Sequence, residues 1–141
     1  DGNKKMRKSE ESDLSRINLR DSADDIIKKI KKAKSDSEQI PSNFRELEKK
    51  PEALNLLNIY SEVSKNSLEK VFNEMAGKEY SFLKTQLSEC LISEITPVGK
   101  EINKLLNDKS FLEQILKKGK EKANFIAEEN LKNIREKVGL I

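Results

Sequence analysis

Histidine and tryptophan are absent from this chain of 141 residues, and it contains one cysteine, Cys90. Without histidine the sequence lacks the commonest general base and metal ligand, which argues against a self-contained hydrolase. One cysteine cannot form a disulfide within the chain, and its neighbours Leu91 and Ile92 favour a core or boundary thiol over a reactive one. We also find no secretory signal and no apolar run that could span a membrane, so we expect a cytoplasmic protein without a membrane partner.

Helix-breaking residues are scarce as well. The chain has five glycines and three prolines, aromatic residues make up 5% and charged residues make up 38%. A high share of lysine, glutamate and leucine with few breakers favours helices. The sequence therefore predicts an all-α fold, a helical bundle of about five helices.

Local signals indicate where these helices begin and end. Ser22 is a suitable N-cap, and Asp24 and Asp25 follow it in the first turn, where the helix dipole favours negative charge. We interpret these aspartates and Asp21 as capping residues rather than metal ligands. Further starts are predicted at Pro51, at Asn66 or Ser67 and at Asp108 or Ser110, with ends at Gly77 and Gly139.

Apolar residues at helical spacing predict which helix faces are buried. Four apolar stripes are expected to cover one another in a monomeric bundle. Pro97 should kink its helix, and Gly119 should mark a close helix crossing that compensates for its low helix propensity. The stripes lie within residues 26–33, 54–63, 83–106 and 111–138, and the second is expected to point Leu54, Leu57, Tyr60 and Val63 inward.

The net charge of +3 is unevenly distributed along the chain. Residues 1–34 carry 11 basic and 7 acidic side chains, residues 35–108 carry 9 and 13, and residues 109–141 carry 8 and 5. The basic ends suit contact with RNA phosphates, and solvated helix faces account for them equally well. The lysines concerned are Lys28, Lys29, Lys31, Lys32 and Lys34 in the first helix and Lys117, Lys118, Lys120 and Lys122 in the last.

The stretch Lys5-Met6-Arg7-Lys8-Ser9 is the most informative motif. Two lysines three positions apart, with a serine directly after the second, lie in a polar segment before any apolar periodicity begins. Ammonium groups on flexible stems suit a loop that follows a phosphate group as its charge changes. As an isolated pattern it is weak, because lysine-rich loops are usually just solvated.

Several segments in combination resemble class I aminoacyl-tRNA synthetases, specifically the tryptophanyl-tRNA synthetase family. Residues 5–9 are similar to the family's K-M-S-K-S loop, and residues 15–19 are similar to its S-R-I-N-L-type segment. Residues 54–61 resemble its N-L-L-x-I-Y-S helix. Looser matches are Tyr80, Phe82, Lys84 and Leu87 and, in the last helix, Gly119, Glu121, Lys122 and Ala123.

The resemblance implies roles for the motif. Lys5 and Lys8 would contact the ATP triphosphate, with Lys8 catalytic because it stabilises the charge that develops as pyrophosphate leaves. Met6, Arg7 and Ser9 would complete this nucleotide-binding loop. Arg7 replaces the family's usual serine and adds a cation to the loop. Glu10 and Glu11 replace the Asp-Pro that usually follows the motif, which removes a proline that would stiffen the loop. The charge and stiffness of the loop are therefore expected to differ from those of the family. The intact enzyme would use ATP and Mg²⁺, and we expect neither on this fragment, nor a metal site.

The resemblance also implies how the chain is divided. Residues 1–20 would be a signature loop and linker from the catalytic domain, with residues 1–14 mobile, and residues 21–141 would be the C-terminal α-helical domain that binds the anticodon. The partners would be the tRNA for tryptophan and, through a catalytic half not included here, ATP and tryptophan. The parent is expected to be a homodimer and the fragment an inactive monomer. The alternatives are the equivalent part of a tyrosyl-tRNA synthetase and a helical adaptor with an incidental basic loop.

Overall fold

The computed structural model describes residues 11–140, and helices form nearly all of its regular structure. No strand occurs in that range, so the predicted all-α fold is confirmed. The chain divides into two units at Lys100 and Glu101. None of the helices between residues 11 and 140 has the length and apolar character needed to cross a bilayer. A 3₁₀ turn, Asp13–Ser15, precedes α1 (Ala23–Lys32), α2 (Phe44–Leu47), α3 (Pro51–Ser64), α4 (Leu68–Met75), α5 (Tyr80–Asn107) and α6 (Lys109–Lys137).

The helices begin where their capping residues predicted. Ser22 and Asp25 form a capping box, in which the Ser22 hydroxyl accepts from the Asp25 amide at 3.1 Å and the Asp25 carboxylate accepts from the Ser22 amide at 3.3 Å. Ser67 caps α4, and Asp108 caps α6 by accepting from the Phe111 amide at 3.0 Å. These bonds satisfy amide groups that have no partner inside the helix.

The core of the first unit forms between α1, α2, α3, α4 and the first half of α5. Phe44 and Phe72 meet edge to face, with ring centroids 5.3 Å apart. The predicted inward face of α3 is confirmed, because Leu57 is buried in the core and Leu54, Tyr60 and Val63 are half-buried and pack against it. Helix α3 packs against both α2 and α4, so its buried side chains spread beyond that face and include small ones. The buried residues of α3 are Ala53, Leu56, Leu57 and Ser61.

The two glycines inside the long helices differ in their surroundings, and the sequence analysis made a prediction for Gly119 alone. A methyl group at Gly99 of α5 would lie 2.7 Å from the Leu19 carbonyl oxygen, so the backbone of residue 19 can approach the helix only where Cβ is missing. At Gly119 of α6 a methyl group would meet nothing within 4 Å in the part of the chain that the structure describes. The predicted close crossing at Gly119 was therefore wrong, and the tight approach occurs at Gly99.

Within the second unit, up to Leu140, no element covers the apolar stripe of α6. No side chain of α6 is buried, and Phe125 is 74% and Ile126 60% exposed. The prediction that the stripes of the first unit cover the stripe of α6 stays a prediction. An amphipathic pattern shows that a helix has an apolar face and does not show which surface covers that face. The monomeric state stays a prediction.

Candidate functional site

The predicted nucleotide-binding residues lie outside the part of the chain that the structure describes. These are Lys5, Met6, Arg7, Lys8 and Ser9. Their assigned contacts with ATP, and the catalytic role of Lys8, therefore stay predictions. The structure does describe the segment that follows them.

That segment, residues 13–21, is held against α1 by a buried ammonium group, and we call it the anchor segment. The Lys29 amine lies 2.6 Å from one carboxylate oxygen of Asp13 and 2.6 Å from one of Asp21. The Lys29 side chain is 7% exposed and that of Asp21 10%. One cation from α1 thus joins both ends of the anchor segment.

The anchor segment is closed by further hydrogen bonds. The Asn18 backbone amide donates to Asp21 at 2.8 Å, and the Asn18 side-chain amide donates to Asp13 at 2.9 Å. Arg16 pairs with Asp13 at 3.0 Å. The backbone carbonyl of Leu19, next to Asn18, is the group that approaches α5 at its glycine. The segment directly after the signature motif is therefore fixed to two helices of the first unit.

The pKa values of the cluster follow from these contacts. Hydrogen bonds from Lys29 and then from Asn18 hold the pKa of Asp13 below its usual value. Burial alone would lower the pKa of Lys29, but the bonds to Asp13 and Asp21 outweigh it and raise that pKa. Lys29 and Asp13 are consequently charged at neutral pH.

Two interpretations from the sequence are corrected by this cluster. The lysine pattern places Lys29 on the exposed face of α1, and the position of Asp21 just before the helix indicates a capping role. The spacing could have identified Lys29, because Ile26, Lys29, Ile30 and Ala33 follow the i, i+3, i+4, i+7 pattern of a buried helix face. Asp25, in contrast, has the capping role that the sequence predicted.

The remaining lysines of the α1 face reach solvent. Lys28, Lys31 and Lys32 are exposed, while Lys34 pairs with Glu52 of α3 at 3.0 Å. The four α6 lysines named in the sequence analysis, Lys117, Lys118, Lys120 and Lys122, are also exposed. Exposed lysines are compatible both with phosphate contacts and with plain solvation, so their role in binding RNA stays a prediction.

A cavity of about 640 Å³ opens between the end of α1, the loop after it and the first half of α5. We call it the α1–α5 cavity. This volume lies within the range of ordinary small-ligand sites, roughly 300–1,000 Å³. Its walls combine apolar and acidic side chains with hydroxyl groups. They include Ile27, Lys31, Glu79, Tyr80, Glu89 and Ile92.

Lys84 of α5 also lines the cavity, and its amine closes the carboxyl end of α1. It donates to the carbonyl oxygens of Lys31 at 3.2 Å and Ala33 at 2.7 Å and to the Ser35 hydroxyl at 2.9 Å. Burial lowers the pKa of Lys84. A cation at a helix C-terminus satisfies carbonyl groups that have no partner within the helix. No local pattern in the sequence indicates this structural role.

Comparisons with known proteins bear on the whole chain. A family model described as tRNA synthetases class I (W and Y) matches residues 1–94. Tryptophan–tRNA ligase of Brucella melitensis is 43% identical over 139 residues, which are 99% of this chain and 39% of that protein. The enzyme of Mesorhizobium japonicum is 41% identical over 100% of this chain and 40% of that protein. The enzyme of Rickettsia felis is 43% identical over 100% of this chain and 42% of that protein. The chain thus spans about two fifths of the length of these curated relatives.

Proposed function

Because the chain belongs to the class I tRNA synthetases of the tryptophan and tyrosine family, we propose that it is the C-terminal part of a tryptophan–tRNA ligase. Its similarity, over nearly its full length, to curated enzymes named tryptophan–tRNA ligase carries the proposal. That naming favours tryptophan over the tyrosyl equivalent. Membership of the family argues against a helical adaptor with an incidental basic loop.

In this proposal residues 5–9 act on ATP. Lys5 and Lys8 hold the triphosphate, and Lys8 stabilises the negative charge that develops as pyrophosphate leaves and tryptophanyl-adenylate forms. The anchor segment supports this role, because it fixes the chain only a few residues after Ser9. A phosphate-binding loop needs a fixed attachment to the rest of the protein if it is to close over its ligand.

The Mg²⁺ used by such a ligase is not assigned to a protein site here. Between residues 11 and 140 no group of three or more carboxylate, cysteine or histidine side chains converges to hold a metal. The described residues therefore do not fit a resident Mg²⁺, and we assign no step of the reaction to it. In nucleotide-using enzymes this ion is commonly held through the substrate phosphates.

The helical part, residues 21–141, binds tRNA in this proposal and reads its anticodon. The exposed lysines of α1 supply phosphate contacts, which position RNA without reading its sequence. Replacing Lys28, Lys31 and Lys32 by glutamine should therefore reduce the slope of log affinity against log salt by roughly 2, because each neutralised phosphate contributes about 0.7–0.9 to that slope. Preference for the cognate tRNA should persist.

The experiment measures binding of the tRNA for tryptophan and of a non-cognate tRNA at several salt concentrations. A matched control carries three glutamines at exposed lysines on other elements and should keep the wild-type slope. An unchanged slope in the α1 variant would assign its lysines to solvation, and equal binding of both tRNAs by the wild type would contradict anticodon recognition by this chain. The control lysines are Lys65, Lys70 and Lys100.

A further inference from the structure

The carboxylate of Asp13 collects three donor side chains at the start of the anchor segment. It accepts from the Lys29 amine at 2.6 Å and from the Asn18 side-chain amide at 2.9 Å, and it pairs with Arg16 at 3.0 Å. Asn18 and Arg16 belong to the anchor segment itself, whereas Lys29 comes from α1, 16 positions further along the chain. Hydrogen bonds between charged groups are stronger than neutral ones. Asp13 therefore ties the beginning of this segment across to a helix.

Lys29 is a firm attachment point for this tie. It shares the buried face of α1 with Ile26 and Ile30, which are 0% and 5% exposed. A buried ammonium group needs a carboxylate partner, and Asp21 supplies one that is itself nearly buried. Asp13, in contrast, is half-exposed. The bond from Lys29 to Asp13 thus goes beyond the neutralisation of a buried charge and connects the core to the residues that follow the signature motif.

The tie at Asp13 shortens the stretch of chain between Lys8 and the core. Lys8 precedes Asp13 by five positions, and it precedes Ile17, a later residue that packs against the core, by nine. Five residues span at most about 18 Å and nine at most about 32 Å. Effective concentration falls roughly as the −3/2 power of tether length, so the release of Asp13 would lower that of Lys8 about 2-fold. Lost orientation adds to this, since a misplacement of about 1 Å can cost 10²-fold in rate.

We propose that Asp13 is a positioning residue for adenylate formation, which acts through Lys8 because Lys29 holds it against α1. The inference rests on the proposed function and deepens it. Asp13 is assigned no contact with ATP. It fixes the point from which the loop that carries Lys8 reaches the triphosphate. An ion pair that only stabilised the fold would lower the folded fraction, and its effect on the rate would not depend on Lys8.

The test is a double-mutant cycle in a complete ligase that carries this chain, measured by tryptophan-dependent pyrophosphate exchange. Asp13→Ala should lower kcat by about 3–30-fold, less than Lys8→Ala does, with the KM for tryptophan unchanged. In a Lys8→Ala background the same substitution should change the rate by less than about 2-fold, because the group that Asp13 positions is gone. Since Asp13 is half-exposed, its replacement disturbs folding less than replacement of the buried Lys29.

Asp36→Ala is the matched control. Asp36 lies in the loop after α1 and pairs with Lys50 at 2.9 Å, and its side chain is 39% exposed against 51% for Asp13. It should leave the exchange rate within about 2-fold of wild type, as expected for a surface substitution away from the motif. Thermal unfolding of both variants, followed by circular dichroism, gives the folded fraction at the assay temperature, so the rates are compared per folded enzyme.

The outcomes separate this inference from the function on which it rests. An equal loss from Asp13→Ala with Lys8 present and with Lys8 replaced overturns the positioning role, because the effect would not pass through Lys8. A loss no greater than that of Asp36→Ala also overturns it. If Lys8→Ala itself leaves adenylate formation unchanged, the function proposed for the signature motif fails instead.

Discussion

Replacing Lys29 by methionine should destabilise the first unit strongly, although the substitution keeps most of the side chain's length. The Lys29 amine is 2.6 Å from both carboxylates and its side chain is 7% exposed. Removing one partner of a fully buried pair costs about 3–5 kcal/mol. Asp13 is half-exposed and regains water, so the cost falls mainly on Asp21, and we expect about 2–3 kcal/mol.

The loss of unfolding free energy caused by Lys29→Met should depend on pH, and the contacts of Asp13 give the direction of that dependence. Contact with Lys29 lowers the folded-state pKa of Asp13, so this ion pair stabilises the fold above the unfolded pKa, at about 4. That stability is lost as the pH falls through the lowered folded-state pKa. The part of the difference between wild type and Lys29→Met that comes from Asp13 should therefore be largest near neutral pH and shrink in acid.

Urea unfolding of the chain followed by far-UV circular dichroism, near neutral pH and below pH 4, measures both effects. Lys28→Met is the matched control, because Lys28 is the exposed neighbour on the same helix, and it should change the free energy of unfolding by less than about 0.5 kcal/mol. The reasoning is refuted if Lys29→Met is as mild as this control, or if its penalty grows as the pH falls.

Two further predictions concern the glycines and the signature loop. Gly99→Ala should destabilise the chain by about 1–3 kcal/mol, since the new methyl group would lie 2.7 Å from the Leu19 carbonyl oxygen, whereas Gly119→Ala, in open space, should stabilise α6 by up to about 1 kcal/mol. Thermal unfolding compares the two, and equal effects would contradict the close approach at residue 99. In a complete ligase that carries this chain, Lys8→Ala should slow adenylate formation by about 10²–10³ with little change in tryptophan affinity. Pyrophosphate exchange measures it, and a loss confined to tryptophan affinity would contradict the assignment.

The helix starts could be predicted because their signals are local. Ser22, Pro51 and Ser67 each have a chemical reason to begin a helix, and the structure begins helices at or next to each of them. The resemblance to tryptophanyl-tRNA synthetases was equally readable, because it rests on residues in sequence order. Family membership confirms it.

Features that depend on packing were harder to predict. The apolar spacing of α1 places Lys29 on the buried face, but its partners could not be predicted locally, because Asp21 and Asp13 lie 8 and 16 residues away in the anchor segment. The difference between Gly99 and Gly119 depends on which backbone approaches each helix. The α1–α5 cavity brings together α1 and residues about 50 positions later, where Lys84 reaches Ala33, and no local pattern contains that contact.

A chimeric enzyme gives the most direct test of the proposed function. The matching 139-residue part of Brucella melitensis tryptophan–tRNA ligase is replaced by this chain, and tryptophan-dependent pyrophosphate exchange and tRNA charging are measured beside the same enzyme with that part removed. We predict that the chimera catalyses both reactions and that the shortened enzyme catalyses neither, since the chain supplies the ATP loop and the tRNA-binding helices. A folded chimera as inactive as the shortened enzyme would contradict the assignment of this chain to a tryptophan–tRNA ligase.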